Sequence, residues 1–275
     1  MNNTYTGQVS LDFTLRNGRT IATRTFHQGV SKILQPQYLT DQLQVTYFLL
    51  NLGGGGVAGD TYRQDFKLDK KVQVHLTTQS AMKIFTANGG KPVSQKTKIS
   101  LADDALLEYI NDPVILYEGA KYCQTTVIDL TSRSHLFFVD SLTQGWDELN
   151  QGFKYDEIDN SCQIIVDGRL EVLDRLRLRP QNTDLVALGR LEKYTHLASG
   201  WVITPSIAPL AFGDVVERLE QKYDVLIGIS ELSILGFSFR ILAQNSQLIL
   251  QLITELRTIF RKVTDLPVIT ENRKY

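Results

Sequence analysis

The chain has 275 residues, 43% of them hydrophobic and 21% charged, with a formal net charge of −1. This composition supports a packed core and excludes a disordered chain. The near balance of charge gives no electrostatic footprint for nucleic acid or for an anionic membrane surface, so neither is expected as a partner.

The first residues, MNNTYTGQVSLDF, have no basic start leading into an apolar stretch, so no signal peptide is expected. Val9, Leu11, Phe13 and Leu15 alternate with Gln8, Ser10, Asp12 and Thr14, which is the period of a half-buried strand. Asn17-Gly18 follows, and because both residues tolerate positive φ it predicts a hairpin returning through about Phe26. Leu43–Leu50 is a β-branched and aromatic run that ends in glycines. Tyr62, Phe66, Leu68, Val72, Val74 and Leu76 then share one parity, predicting two strands with a turn near Asp69–Lys71. Thr97, Ile99 and Leu101 continue the theme up to a turn at Ala102–Asp104. Residues 105–140 give short strands broken at Asn111-Asp112-Pro113 and Glu118-Gly119. Gly145–Asn160 reads as a loop or edge hairpin, with strands resuming at Cys162–Val166 and Leu170–Leu178. Two helices come late, at Asp214–Tyr223 and at Gln247–Lys262. In the second, Leu248, Ile249, Leu252, Ile253, Leu256, Ile259 and Phe260 form one apolar stripe, Ser246 or Asn245 can cap the start, and Pro267 prevents continuation. No fixed-period repeat is visible. No run of about 18 apolar residues occurs to span a bilayer.

Gly54-Gly55-Gly56-Val57-Ala58-Gly59 matches G-x-G-x-x-G. A dinucleotide site needs a helix after that loop to present amides to the pyrophosphate. Tyr62–Leu68 alternates at strand period instead, and Gly59 is followed by Asp60 rather than by Lys-Ser or Lys-Thr, so nucleotide binding is rejected. Two readings remain for Gly54, Gly55, Gly56 and Gly59. One is a wide turn that needs positive φ or close backbone approach. The other is a bare backbone surface that lets a chain or an ion come near, with Asp60 as its nearest charge.

Thr77-Thr78-Gln79-Ser80 with Lys83 is either a polar strand end bonding its own turn or the wall of a hydroxyl-lined channel. Glu108 lies on the parity opposite Ala105, Leu107 and Tyr109, so solvent exposure is expected for it. His27, His75, His135 and His196 are scattered without ligand spacing, and no metal cage is expected from them. Cys123 and Cys162 form no Cys-x-x-Cys pair, which points to a reducing, cytoplasmic setting. There is no G-x-S-x-G elbow and no nucleophilic cysteine signature, so no enzyme activity is expected.

The order of these segments resembles the urease accessory protein D family. Asn51–Asp60 (NLGGGGVAGD) is similar to that family's N-P-x-G-G-x-x-x-G-D segment, and Thr77–Phe85 (TTQSAMKIF) to its T-T-Q-x-A-x-K-x-[YF] segment. Leu107–Ile110 and Pro113–Ala120 resemble its L-E-[WY]-x-P-x-P-x-I-x-[FY]-x-x-A stretch. Gly228–Ser230 and Gly236–Leu242 (GFSFRIL) resemble its late G-x-S and V-R-x-L segments. The resemblance runs from about residue 5 to residue 265. Leu52 and Asn111 stand where proline is usual. Gly145–Phe153 lacks the arginine, second glycine and glutamate of G-R-x-x-x-G-E-x-F, and Asp140 stands near a usual upstream glutamate.

The resemblance implies a mainly β fold of stacked sheets resembling a β-helix, with two α-helices in the C-terminal part. It implies a single domain over 1–275, β-rich through 205 and helix-containing over 206–275. It also implies a scaffold or chaperone bridging apo-urease and a complex of accessory protein F with the GTPase accessory protein G. Nickel would pass transiently through a water-filled interior path, with no tightly bound cofactor. Weak, replaceable ligands suit such a path, since a strong cage would trap the ion. Asp60, Thr78, Gln79, Lys83, Glu108 and Asp140 are the candidates for metal transit or partner contact. The late helices are expected to serve packing or the docking of accessory protein F. The competing reading is a β-rich small-ligand module unrelated to urease, with the glycine loop and Thr77–Lys83 lining its pocket.

Overall fold

The computed structural model describes residues 5–39, 43–205 and 210–267. The opening hairpin forms where Asn17-Gly18 predicts it. β1 (Gly7–Arg16) and β2 (Arg19–Gly29) pair antiparallel about Asn17 and Gly18, whose φ values are 51° and 74°. A short β3 (Ser31–Ile33) leads to its antiparallel partner β4 (Gln44–Asn51).

From β4 the chain coils between two sheets. β5 (Thr61–Leu68), β8 (Val93–Leu101), β11 (Lys121–Leu130) and β13 (Glu157–Val166) join the first sheet, each parallel to the strand laid down before it. β6 (Gln73–Thr78), β9 (Leu106–Ile110) and β12 (His135–Thr143) do the same beside β4 in the second sheet. Two small strands, β7 (Lys83–Ile84) and β10 (Ile115–Leu116), form a third wall. Antiparallel strands finish both sheets: β14 (Arg169–Leu178) pairs β13, while β15 (His196–Ile203) and β17 (Gly236–Ala243) extend the second sheet to β16 (Leu226–Glu231). The result is mainly β, with solenoid-like stacking, as the family resemblance implied. The two helices, α1 (Leu210–Lys222) and α2 (Ser246–Val263), come late. Among the described residues, no helix is long and apolar enough to cross a membrane.

The connections on the two sides of the coil differ. On one side they are tight corners at the predicted turns, with Lys71 and Asp104 at φ 63° and 60°. These corners stack, for Lys71 N–H donates to the Asp103 carbonyl and Leu106 N–H to the Val72 carbonyl. On the other side they are long, and they stack too. Gly56 bridges to Ile84, β7 pairs β10, and Tyr117 bridges to Trp146. The glycine run, the Thr77–Phe85 segment, the Pro113–Ala120 segment and Gly145–Phe153 are therefore successive layers of one wall. β13 begins at Glu157, earlier than the Cys162 expected, and the Gly145 loop ends accordingly.

Inward-facing side chains form rows across the strands. Leu11, Phe66, Ile99, Ile128, Ile164 and Val172 make one row, and Phe13, Leu68, Leu101, Leu130 and Val166 the next. They pack against Val45, Val74, Leu76, Leu107, Leu136 and Phe138 of the second sheet. Each such buried side chain contributes about 1.5–3 kcal/mol. The far face of the second sheet is covered by α2, whose Ile249, Leu252, Ile253, Leu256 and Phe260 bury against Phe137, Val139, Val202 and Ile241. Of the two residues expected to cap that helix, Asn245 does so, accepting from Leu248 N–H at 2.8 Å.

This helix corrects one expectation. Glu108 faces away from the core as its parity predicts, yet it is 0% exposed, because α2 lies over that face. A period-2 pattern reports which side of a strand a residue is on, and cannot report what covers that side.

Candidate functional site

Toward the long-loop wall the inward rows change character. On the first sheet, the row beside the apolar ones runs Val9, Gln64, Thr97, Thr126, Cys162, Asp174. The row after it runs Tyr62, Gln95, Gln124, Asn160, Leu176. On the second sheet Asp140, Ser199 and Arg240 are register neighbours, and Thr78 and Asn111 stand farther along the same side. Between the sheets lies a polar seam running across the coils.

The seam is partly self-bonded. Tyr122 Oη donates to Gln124 Oε1 at 2.9 Å, Gln124 Nε2 donates to Asp140 Oδ2 at 2.8 Å, and Tyr109 Oη donates to Gln64 Oε1. Asn111 Oδ1, Asn160 Oδ1 and Ser199 Oγ are buried without a partner. An unpaired buried oxygen costs about 1–3 kcal/mol. Several of them around one carboxylate leave acceptors that a water or an ion can satisfy. Burial pushes the Asp140 carboxyl up to about 6, against the opposing hydrogen bonds from Gln124 and Asn160.

Three cavities lie along the seam. The one beneath the glycine loop has about 350 Å³ and is lined by Gly54, Gly55, Gln64, Thr78, Lys83 and Gln95. A narrow one of about 20 Å³ surrounds Asp140, Gln124, Asn160, Cys162 and Ser199. A third, of about 370 Å³, opens at the far end beside Asp174, Trp201, Ser238 and Arg240.

The residues singled out in the sequence are distributed unevenly over this site. Asp140 sits at its centre. Thr78 lines the glycine end, where its Oγ1 donates to Asp112 Oδ2 at 2.8 Å and accepts from Asp112 N–H at 2.8 Å. Lys83 lines the same cavity, whereas Gln79 is tied to β4 through its N–H on the Leu49 carbonyl. Asp60 braces the glycine loop. It accepts from Val57 N–H at 2.8 Å and from Thr6 Oγ1 at 3.0 Å. Gly54 and Gly59 have φ of 71° and 86°. A Cβ on Gly55 would stand 2.6 Å from Phe85 Cε2, and one on Gly56 would stand 2.9 Å from Val93 Cγ1. The loop thus has the positive φ and the close backbone approach of the wide turn weighed from the sequence, and it borders a cavity.

Glu108 lies outside the seam, on the other face of its sheet. Its carboxylate receives both Nε and Nη2 of Arg257, at 2.8 and 2.7 Å, Arg261 Nη1 at 2.6 Å and Gln44 Nε2 at 2.9 Å. Burial raises its proton affinity, and the guanidiniums of Arg257 and Arg261 outweigh that and hold it below the usual carboxylate range. This is a clamp fixing α2 to the sheet. Gly145–Phe153 is organised by its own Asp147, which accepts from Leu149, Gln151 and Gly152 N–H. Among the described residues, no group of three or more His, Cys, Asp or Glu side chains could hold a metal ion.

Sequence reasoning passed over Gln64, Gln95, Gln124, Asn160, Asp174 and Ser199. Gln64, Gln95, Gln124 and Asp174 sit at inward parity in or beside stretches read as strands, whereas Asn160 fell in the stretch read as a loop and Ser199 lies on β15, which the sequence reading did not mark. Polar residues at core parity were the available signal, and only the register shows that they align.

The UreD urease accessory protein family matches residues 5–272. A urease accessory protein UreD of Lachnoclostridium phytofermentans is 36% identical over 88% of this chain and 89% of its own length. Proteins of the same name from Staphylococcus saprophyticus and Staphylococcus epidermidis are 34% and 33% identical. The first covers 92% of this chain and 91% of its own length, and the second 98% of each. These matches displace the alternative of a ligand-binding module unrelated to urease: the chain belongs to the UreD urease accessory protein family.

Proposed function

We propose that this protein is a non-enzymatic, cytoplasmic scaffold of urease maturation that passes nickel to apo-urease through the polar seam. In this reading it bridges apo-urease and the complex of accessory protein F with the GTPase accessory protein G, which supplies the ion. The observation that carries the proposal is the set of unpaired oxygens around Asp140, placed between two larger cavities.

The chemistry suits transit better than storage. Amide and hydroxyl oxygens are weak ligands for Ni²⁺, which binds imidazole and thiolate far more tightly. Gln64, Gln95, Gln124, Asn160 and Ser199 offer replaceable contacts at successive steps. Asp140 supplies one negative charge where the path is narrowest, offsetting part of the cost of moving a dication out of water. Thr78 and Lys83 border the glycine end, and the Asp60-braced loop gives that end its shape.

The test is reconstitution with apo-urease, accessory proteins F and G, GTP and Ni²⁺, reading nickel bound per urease. Ser199→Leu and Asp140→Leu fill or neutralise the narrow point. Both are expected to lower nickel loading at least tenfold while still co-purifying with accessory protein F and melting as cooperatively as the parent. Full loading by both variants would rule the seam out as the route. Failure of the parent chain to bind either accessory protein F or urease would remove the scaffold reading itself.

A further inference from the structure

The late segment Gly236–Leu242 brings Arg240 to the far end of the seam, where neither the core nor the transit chemistry makes use of it. Arg240 lies on β17 of the second sheet and Asp174 on β14, the edge strand of the first. Arg240 Nη2 donates to Asp174 Oδ1 at 2.6 Å, so one ion pair spans the gap between the sheets. Directly inside it stand Cys162, the register partner of Asp174, and Ser199, the register partner of Arg240. Asp174 and Ser199 line both the narrow cavity around Asp140 and the outer cavity, whereas Arg240 lines the outer one and a neighbouring cavity beside Leu176 and Leu242 but not the narrow one. The pair therefore marks the partition between the two.

A guanidinium stays charged at every physiological pH. Held at this position, it presents a fixed positive charge to any cation moving through the opening. The pair is also open to exchange. The Arg240 side chain is 52% exposed and that of Asp174 26%, and ion pairs this exposed are weakly held.

We propose that Arg240 gates this end of the seam. Bonded to Asp174, it bars cations from the narrow cavity. Once a competing anion draws it away, the opening clears and the freed Asp174 carboxylate attracts the cation. The inference rests on reading the seam as a cation route, and it makes Asp174 a positioning residue for the gate.

Cys162 provides a native reporter one strand inside the partition. In the full chain carrying Cys123→Ser, which removes the other thiol, the rate of Cys162 modification is measured with cationic aminoethyl methanethiosulfonate and with neutral methyl methanethiosulfonate. Arg240→Gln is expected to raise the cationic rate by about tenfold and the neutral rate by much less, the signature of a removed electrostatic barrier. Arg240→Lys, which keeps the charge, is expected to stay near the parent rate. A more reactive thiol cannot imitate this result. Burial and the charges of Asp140 and Asp174 already push the Cys162 thiol up, and losing a cation pushes it further.

An unchanged ratio of cationic to neutral rates in Arg240→Gln would overturn the gate. So would an Arg240→Lys variant as fast as Arg240→Gln, or a Cys162 that stays unreactive in every variant. The readout needs neither nickel nor urease. A failed gate therefore leaves the nickel-loading result standing, and failed loading leaves the labelling result interpretable.

Discussion

Replacing Asp140 by Asn should make the protein more stable at neutral pH while impairing nickel delivery. The Asp140 carboxyl is pushed from 3.8 to about 6, mainly by burial, so the folded protein holds that proton more tightly than the unfolded chain does. The sign follows from linkage. The stabilisation from this group is complete below the unfolded value, falls as pH rises between about 4 and 6, and is gone above that window. Each pKa unit corresponds to about 1.4 kcal/mol, so a shift of roughly two units sets an upper limit near 3 kcal/mol. The surrounding cavity of about 20 Å³ can hold a water molecule that solvates the carboxylate. A net gain of about 1–2 kcal/mol for Asp140→Asn at pH 7.5 is the working figure, roughly 2–6 °C in Tm at this chain length. Asn keeps an oxygen that can accept from Gln124, so the shape of the site survives the exchange. The assay is calorimetric melting of both proteins from pH 4 to pH 8. The two melting temperatures should converge near pH 4 and separate as pH rises. A variant less stable than the parent at pH 7.5, with no pH-dependent gap, would refute the reasoning, since the ionised carboxylate would then be well solvated or fully paired. A gain in stability with a loss of delivery identifies a residue kept for transit at the expense of the fold.

Glu108→Gln should act in the opposite direction. It leaves the buried guanidiniums of Arg257 and Arg261 without their carboxylate, and urea denaturation should show a loss of about 3–5 kcal/mol. The triple change Glu108→Leu, Arg257→Leu and Arg261→Met should recover most of that loss, because buried ion clusters contribute little net stability over an apolar core. The Glu108 carboxyl is held below the usual range, so its contribution persists above the ordinary carboxylate pKa and is lost only as pH falls through the depressed value. Gly55→Ala should cost about 1–3 kcal/mol by thermal melting, since the new Cβ would meet Phe85 Cε2 at 2.6 Å and the Lys83 carbonyl oxygen at 2.7 Å. Gly54→Ala meets nothing within 4 Å and should cost only about 1 kcal/mol for its positive φ.

Much of this protein is written locally in its sequence. Alternation at Val9–Leu15 and Tyr62–Leu76 marks strands because a pleated strand turns successive side chains to opposite faces. Asn17-Gly18 marks its hairpin because both residues tolerate positive φ, and the stripe from Leu248 to Phe260 marks a helix because its spacing matches one face of the helical turn. The rejection of a nucleotide site at Gly54–Gly59 was equally local, resting on the strand that follows. What tertiary structure alone decided concerns neighbours in space. Nothing near Glu108 in the chain says that Arg257 and Arg261 will meet it, because their separation is bridged only when α2 folds over the sheet. Gln64, Gln95, Gln124 and Asp174 look like isolated flaws in apolar strands, and Asn160 like the end of a loop. Parallel coiling sets them in adjacent rows, and register is a property of the pairing rather than of any one strand. The seam, its narrow point at Asp140 and its ion pair at Arg240 therefore exist only in the folded molecule.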